Sequence, residues 1–285
     1  MMQMRARSRQ PTSARGAALL LVLWLVLLLA GLVAGYALTA RVESLQGNGM
    51  ARSLLAREAA RAGVEYAAAR MLEQDPSRRW AVDGRQYRFD FDGVPVTLNV
   101  RDEAGKIDLN TASLDLISQL FQTLGEPREA ADQLAGAVVD WRDPDNLTQP
   151  GGGAEDADYL AAGLTWGAKD APFESVAELE QVLGMRPDLF AAAAPHLTVF
   201  TGQPLPDVNF ADAVVRKAMG APEKTDPIDP AAPPLPGSGT YSIESRARLT
   251  NGRSVRLSVV LRMGGSGLPG STYTTLHWQT GGVAP

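Results

Sequence analysis

The densest group of side chains able to do chemistry lies between residues 140 and 160, in the stretch DWRDPDNLTQPGGGAEDADYL. One cation, Arg142, lies among six carboxylates: Asp140, Asp143, Asp145, Glu155, Asp156 and Asp158. Carboxylates at this density repel one another unless they spread into solvent or share a cation, and Ca²⁺ takes about six to eight oxygen ligands. Asp143-x-Asp145-Asn146 and Glu155-Asp156, on either side of a glycine-rich turn, are placed to supply such oxygens. The spacing is not that of an EF-hand, so a calcium site and a solvated acidic loop both stay open.

Cysteine and histidine offer little further chemistry. The chain has no cysteine and only two histidines, His196 and His277. This excludes thiolate metal sites, disulfides and cysteine nucleophiles, and it leaves few ways to build a Ser-His-Asp triad. We interpret both histidines as structural, and we expect Trp141 and Trp166 to be core residues. The protein is therefore predicted not to be an enzyme, with a membrane-tethered hydrolase as an alternative that a perturbed acid in a cleft would favour.

Two stretches, LNTASLDLISQL and SVAELEQVLG, each match half of a helix-hairpin-helix motif, which holds DNA phosphates on backbone N–H groups. Their charge argues against that use. Residues 107–200 contain 16 acids and four bases, a net charge of −12, whereas phosphate binding needs Lys and Arg to replace counterions. We predict no nucleic-acid binding, and a membrane-anchored DNA-uptake receptor stays as the alternative function.

The N-terminus has the pattern of a membrane anchor. Residues 17–40 are 24 residues without a charge, which corresponds to about 36 Å of helix against a hydrocarbon core of about 30 Å. A cleavable secretory signal has an apolar region of only about 7–15 residues, so this run is too long for one. Arg5, Arg7, Arg9 and Arg15 precede it without an acid, although the whole chain has a formal charge of −5. By the positive-inside rule, the N-terminus stays cytoplasmic and the body is exported.

Helical character continues beyond the apolar run, over residues 41–75. This stretch is rich in Ala, Leu, Arg and Glu, and small residues follow one another at spacings of three and four: Ala56, Ala60, Gly63 and Ala67. Such a stripe lets a sheet or another helix approach closely. We predict one helix of roughly 55–60 residues from the membrane to the body.

The body is predicted to be α+β. Alternating segments around Asp92-Gly93 and Asn251-Gly252 predict two β-hairpins. The predicted strands are 85–91, 94–101, 241–249, 254–262 and a final one at 273–279. Together with the long helix, they predict a helix packed on an antiparallel sheet.

A large helical insertion is predicted to interrupt that sheet. Residues 111–203 are Ala-rich and helix-patterned, and Thr111 or Ser113 is a plausible N-cap for the first insertion helix. Residues 76–110 and 204–285 are then the two parts of the β domain.

Arg15-Gly16 stands after a short basic leader and directly before the apolar run, which resembles the cleavage site of type IV prepilins and type II secretion pseudopilins. The family's peptidase cuts after the glycine and methylates the new N-terminus. The resemblance therefore implies a leader of residues 1–16, processing at Gly16 and Ala17, and methylation of Ala17. Most pilins carry a glutamate at mature position five, which is Leu21 here. The minor pseudopilin of the K type is known for lacking that acid, and Leu-Asn-Thr-Ala at 109–112 with Val-Asp-Trp-Arg-Asp at 139–143 resembles the same type.

The chain is identified as a member of the K-type minor pseudopilins on these residues. The resemblance implies a pilin-like sheet split by a helical domain, and a structural role at the tip of the periplasmic pseudopilus of a type II secretion system. It implies a single inner-membrane span and these partners: the I-, J- and H-type minor pseudopilins, the prepilin peptidase and, as further candidates, the secreted proteins. It also implies structural calcium, with Asp143, Asp145, Glu155 and Asp156 carried over as side-chain ligands.

Overall fold

The computed structural model describes residues 15–223, 235–249, 252–265 and 272–284. Of the predicted leader, residues 1–16, only Arg15 and Gly16 fall within this range. The helices are α1 Arg15–Met71, α2 Leu114–Thr123, α3 Arg128–Arg142, α4 Asp156–Ala161, α5 Pro187–Ala193 and α6 Ala213–Ala218. The strands are β1 Asp83–Phe91, β2 Val94–Asp102, β3 Ile107–Asp108, β4 Leu197–Thr198, β5 Thr240–Arg248, β6 Ser254–Met263 and β7 Tyr273–Ala284. Short 3₁₀ helices cover Glu103–Gly105, Val176–Gln181 and Ala194–His196.

The N-terminal part of α1 is long and apolar enough to cross a membrane. Helix α1 has 57 residues, which confirms the predicted length. Its segment Ala18–Glu43 has a mean hydropathy of 2.8, and none of it is buried. This segment coincides with the predicted span, residues 17–40, apart from a few residues at each end.

The later part of α1 packs on the sheet through its small residues. Ala56, Ala60, Gly63 and Ala67 are fully or almost fully buried. The Ser245 hydroxyl on β5 donates to the Ala60 carbonyl at 2.7 Å. A Cβ built on Gly63 would lie 2.7 Å from the Ser245 Oγ and 3.0 Å from Leu98. Only a residue without a side chain fits here, so the predicted stripe is the contact between helix and sheet.

A five-stranded antiparallel sheet has the order β1-β2-β5-β6-β7. Both predicted hairpins are present, and β7 is longer than the predicted 273–279. The first hairpin turns at Asp92 and Gly93, whose φ angles are +50° and +76°. Positive φ at both turn residues matches the right-handed twist of the flanking strands. The predicted turn at Asn251-Gly252 lies partly outside the described residues.

The helical part is inserted between two neighbouring strands of this sheet. Strands β2 and β5 pair directly, with Asp102 opposite Tyr241, and the chain between them forms α2 to α6 and a short parallel pair, β3 and β4. The insertion has its own core, whose largest fully buried members include Ile117, Leu120, Phe121 and Tyr159. This is the predicted α+β architecture.

The insertion core extends past the predicted boundaries at residues 111 and 203. It takes in Ile107 and Leu109 on one side and Val215 and Ala218 of α6 on the other. These flanking segments meet because α6 packs against α2. Of the two predicted N-caps of α2, Ser113 is the one in place: its side chain accepts from the backbone N–H of Leu116 at 3.3 Å.

The two tryptophans that were expected in this core differ in their exposure to solvent. Trp141 is buried near Tyr159 and Phe173, with ring centroids 6.1 and 6.2 Å away. The expectation is wrong for Trp166, which is 47% exposed. Its indole N–H donates to the Gln181 carbonyl at 3.3 Å, so a polar contact holds this ring at the surface.

Candidate metal centre

A candidate metal site lies in the loop between α3 and α4. Asp143 directly follows the last residue of α3, and Glu155 directly precedes the first residue of α4. The two helix ends therefore bring together carboxylates from opposite ends of the loop, and Asp145 lies between them. One carboxylate oxygen from each of these three residues lies within 4.8 Å of the other two. Three of the four predicted ligands thus share one site.

Glu155 is the buried member of this group. The residue is 5% exposed, and neither of its carboxylate oxygens has a hydrogen-bond partner among the described residues. The Oδ1 atom of Asp143 is buried and without a partner in the same way. Burial raises the pKa of Glu155 from its ordinary 4.5 to about 7, and the charges of Asp140 and Asp143 add to this rise. A buried carboxylate without a donor is costly, and a bound cation would supply the missing partner.

Other oxygens of the group are used within the loop. The Gln149 side-chain amide donates to Asp143 Oδ2 at 3.2 Å. The backbone N–H of Leu147 donates to Asp145 Oδ1 at 2.9 Å. These bonds hold two carboxylates in place and leave one oxygen on each.

Asp140 shapes the loop from within α3. Its buried carboxylate accepts from the backbone N–H groups of Gln149 at 3.2 Å and Ala154 at 2.8 Å. A Cβ on Gly153 would overlap Asp140 Oδ2, so the glycine lets the backbone approach this carboxylate. Burial raises the pKa of Asp140 as well. In the sequence, Asp140 is distinguished from the other acids of the cluster only by its position one helical turn before Asp143.

Asp156, the fourth predicted ligand, is not in the three-carboxylate group. Its residue is exposed, and its carboxylate lies so close to Gly167 that a Cβ there would overlap it. Asp170, outside the predicted ligand set, acts on the site electrostatically, because its charge also raises the pKa of Glu155. Asp170 is far from the cluster in sequence, so no local pattern could have identified it.

Arg142 does not neutralise these acids directly. Its guanidinium is partly buried and donates to the main-chain carbonyls of Leu109 and Ala112, the latter at 2.7 Å. Burial lowers the pKa of Arg142. This contact ties the Leu-Asn-Thr-Ala stretch to the Val-Asp-Trp-Arg-Asp stretch. The two sequences that carry the family resemblance are therefore in direct contact in the folded protein.

The arrangement can hold a hard divalent cation. Ca²⁺ prefers carboxylate and carbonyl oxygens and accepts irregular geometry. Three carboxylates converge here, and buried oxygens of two of them have no hydrogen-bond partner in the part of the chain that the structure describes. The donor set therefore fits calcium.

The two histidines lie away from this loop. His196 Nδ1 is 2.6 Å from Asp212 Oδ2, and the same carboxylate group caps α6 by accepting from the backbone N–H of Val214 and Val215. His277 lies beside Phe200, with 6.5 Å between the ring centroids. Both contacts agree with the structural roles predicted for these residues.

The comparisons with known proteins all point to the same protein family. The family model described as "Type II secretion system (T2SS), protein K" matches residues 97–202. The chain is similar to the type II secretion system protein K of Pectobacterium carotovorum subsp. carotovorum, with 28% identity covering 67% of this chain and 63% of that protein. It is also similar to the protein of that name from Klebsiella pneumoniae, with 26% identity covering 50% of each. The chain thus spans about half to two thirds of the length of these curated relatives.

The fold agrees with a solved structure. A chain of the GspK-GspI-GspJ complex from the enterotoxigenic Escherichia coli type 2 secretion system superposes with a TM-score of 0.61. The match covers 85% of this chain and 99% of that chain, at 16% sequence identity. At this identity, the likeness establishes the shared fold.

Proposed function

We propose that this chain, which belongs to the type II secretion system protein K family, is a minor pseudopilin at the tip of the pseudopilus. One observation carries the proposal: the protein K domain, residues 97–202, begins in β2 and covers most of the insertion that splits the pilin-like sheet. The role is structural rather than catalytic. The relatives reported above are secretion proteins, so the DNA-uptake alternative has no support from them.

The size of the helical insertion supports a place at the tip. A pilin subunit inside a filament is wrapped by neighbours, and a helical insertion of this size would clash with them, whereas at a tip it projects freely. Leu21 supports the same place, because it cannot form the charge pair that the pilin family's glutamate makes with the N-terminal amine of an adjacent subunit.

The proposed partners are the I-, J- and H-type minor pseudopilins, with secreted proteins as further candidates. The solved neighbour is itself titled as a complex of GspK with GspI and GspJ. The prepilin peptidase is the proposed processing enzyme, cutting between Gly16 and Ala17 and methylating Ala17. The span Ala18–Glu43 then anchors the protein in the inner membrane with its body in the periplasm.

We also propose calcium as a structural cofactor, held by Asp143, Asp145 and Glu155. The buried and unpartnered oxygens of Glu155 and Asp143 support it. Bound calcium would supply charge neutralisation and no reaction step. We do not propose Asp156 as a direct ligand of the ion, because its carboxylate faces Gly167.

Gene deletion in the source bacterium tests the function. We expect exoproteins to accumulate in the periplasm and DNA uptake to stay unchanged, with wild-type complementation restoring secretion. Unchanged secretion with reduced DNA uptake would replace the pseudopilin proposal with its alternative.

Processing has a separate test. Mass analysis of the mature protein is expected to find Ala17 at the N-terminus, methylated, and Gly16→Glu is expected to block both cleavage and complementation. Gly16→Ala is the matched control, because it keeps a small uncharged residue. A mature N-terminus near Gly35 or Ala40 would instead indicate a conventional signal peptidase.

A further inference from the structure

The sheet has a basic face on the side opposite α1. Helix α1 contacts the face that carries Ser245 and Leu98. Side chains alternate between faces along a strand, so Arg246 and Arg248 of β5 point to the other side. The strand register places Arg88 of β1, through Thr97, in one row with Arg246 and Arg256 of β6. We call Arg88, Arg246, Arg248 and Arg256 the arginine face.

These four side chains are close together and exposed. Arg246 and Arg256 are direct cross-strand partners, on strands that lie about 4.8 Å apart. Their side chains are 46% and 54% exposed, and Arg88 and Arg248 are exposed residues as well. Like charges directly opposite each other destabilise a sheet. The local cost indicates that this cluster serves something other than folding.

The acids on this face do not balance its charge. Glu244 Oε1 lies 3.3 Å from Arg246 and 3.1 Å from Arg256, so two guanidinium groups share one carboxylate. Asp90 accepts from the backbone N–H of Gly93 in the hairpin turn. Among the described residues, no carboxylate lies within ion-pair distance of Arg88 or Arg248. The face therefore keeps an excess of positive charge and unused N–H donors.

We propose that the arginine face docks a carboxylate-rich surface of a partner protein. Guanidinium groups match carboxylates in a two-bond geometry, and the Glu244 contact shows that a carboxylate fits between Arg246 and Arg256. The charge elsewhere in the chain restricts where an acidic partner can bind, because residues 107–200 carry a net −12. Such a partner is attracted to the arginine face and repelled by the helical part, which selects the surface that it contacts. This inference does not depend on the proposed secretion role.

The test uses the full-length protein in neutral detergent and a fluorescent ten-residue glutamate peptide as the probe. Binding is followed by anisotropy at about 50 mM and about 300 mM NaCl, since screening weakens exposed ion pairs. We expect Arg246→Gln/Arg256→Gln to weaken binding about five- to tenfold, the loss of two exposed ion pairs. Arg88→Gln/Arg248→Gln breaks no ion pair within the described residues. It is expected to weaken binding to the same extent and covers the case in which the first variant unfolds.

Arg57→Gln/Arg128→Gln is the matched control, because it removes the same charge from exposed positions on α1 and α3. Its binding is expected to stay within about twofold of wild type. Equal losses in the control and the face variants would overturn the proposal, since net charge alone would then explain binding. Preference for phosphatidylglycerol vesicles over the peptide would also overturn it in favour of a lipid surface. Self-association that the face variants abolish would overturn it in favour of a second copy of this chain.

Discussion

Replacing Glu155 by glutamine tests whether the ionised Glu155 carboxylate destabilises the acidic loop in the absence of a bound cation. Glu155 has a pKa of about 7 in the folded protein against an ordinary 4.5. A carboxyl whose pKa is raised by folding binds its proton more tightly in the folded state. Its contribution to stability is therefore fully present below pH 4.5 and is lost as the pH rises through about 7.

The size of the effect follows from the two pKa values. One unit of pKa corresponds to about 1.4 kcal/mol, so ionising Glu155 lowers the free energy of unfolding by up to about 3 kcal/mol. In the absence of divalent cations, Glu155→Gln is expected to be more stable than wild type by about that amount at pH 8 and equal to it at pH 4. Glutamine has nearly the same volume, which leaves the packing against α4 intact.

Calcium is expected to offset most of this loss in wild type. A ligand that binds only the folded state adds about 2.7 kcal/mol at a hundredfold excess over its Kd. Wild type should gain that stability at pH 8, less so with Mg²⁺, and EDTA should remove it. Glu155→Gln should lose the response, and Asp143→Ala should lose it as well.

The assay is urea unfolding of the full chain in detergent, followed by tryptophan fluorescence. Trp141 contributes to this signal from the core beside the site, since its ring lies 6.1 Å from that of Tyr159. Asp156→Asn is the matched control: it removes a neighbouring charge outside the three-carboxylate group and should keep the calcium response. A pH profile that is the same for wild type and Glu155→Gln would refute the burial argument. A calcium response that Asp156→Asn abolishes would refute the assignment of ligands.

Three further changes test the scaffold around the site. Gly63→Ala is expected to destabilise the body by about 1–3 kcal/mol in urea unfolding, because overpacking against Ser245 outweighs a gain of about 1 kcal/mol in helix propensity. Adding Ser245→Ala should recover part of this loss. Stability losses of the two variants that simply add up in the double variant would contradict the contact. Arg142→Lys should lower the free energy of unfolding by about 2–3 kcal/mol in the same assay, since a lysine cannot donate to two carbonyls from one planar group. An unchanged stability would mean that these bonds do not hold the Leu109–Ala112 segment against α3. Ser113→Ala should cost about 1 kcal/mol through loss of the α2 cap, whereas Ser113→Asp should keep the stability of wild type.

Much of the fold follows from local patterns. The uncharged run of residues 17–40, the alternation on both sides of Asp92-Gly93 and the small-residue stripe of α1 each depend on residues close in sequence. Hydrophobic periodicity and turn chemistry act over a few residues, so they can be interpreted without knowing what the rest of the chain does. The acidic loop was recognisable for the same reason, because its carboxylates cluster in sequence.

Tertiary structure decided which of these residues act together. Asp156 is adjacent to Glu155 in sequence but turns towards Gly167, because neighbouring residues at the start of a helix point in different directions. Arg142 lies within the acidic stretch yet donates to carbonyls of the Leu109–Ala112 segment. The arginine face joins β1, β5 and β6 across the insertion, through a register that only strand pairing sets. Side-chain direction and strand order depend on contacts between distant parts of the chain, and no local pattern contains that information.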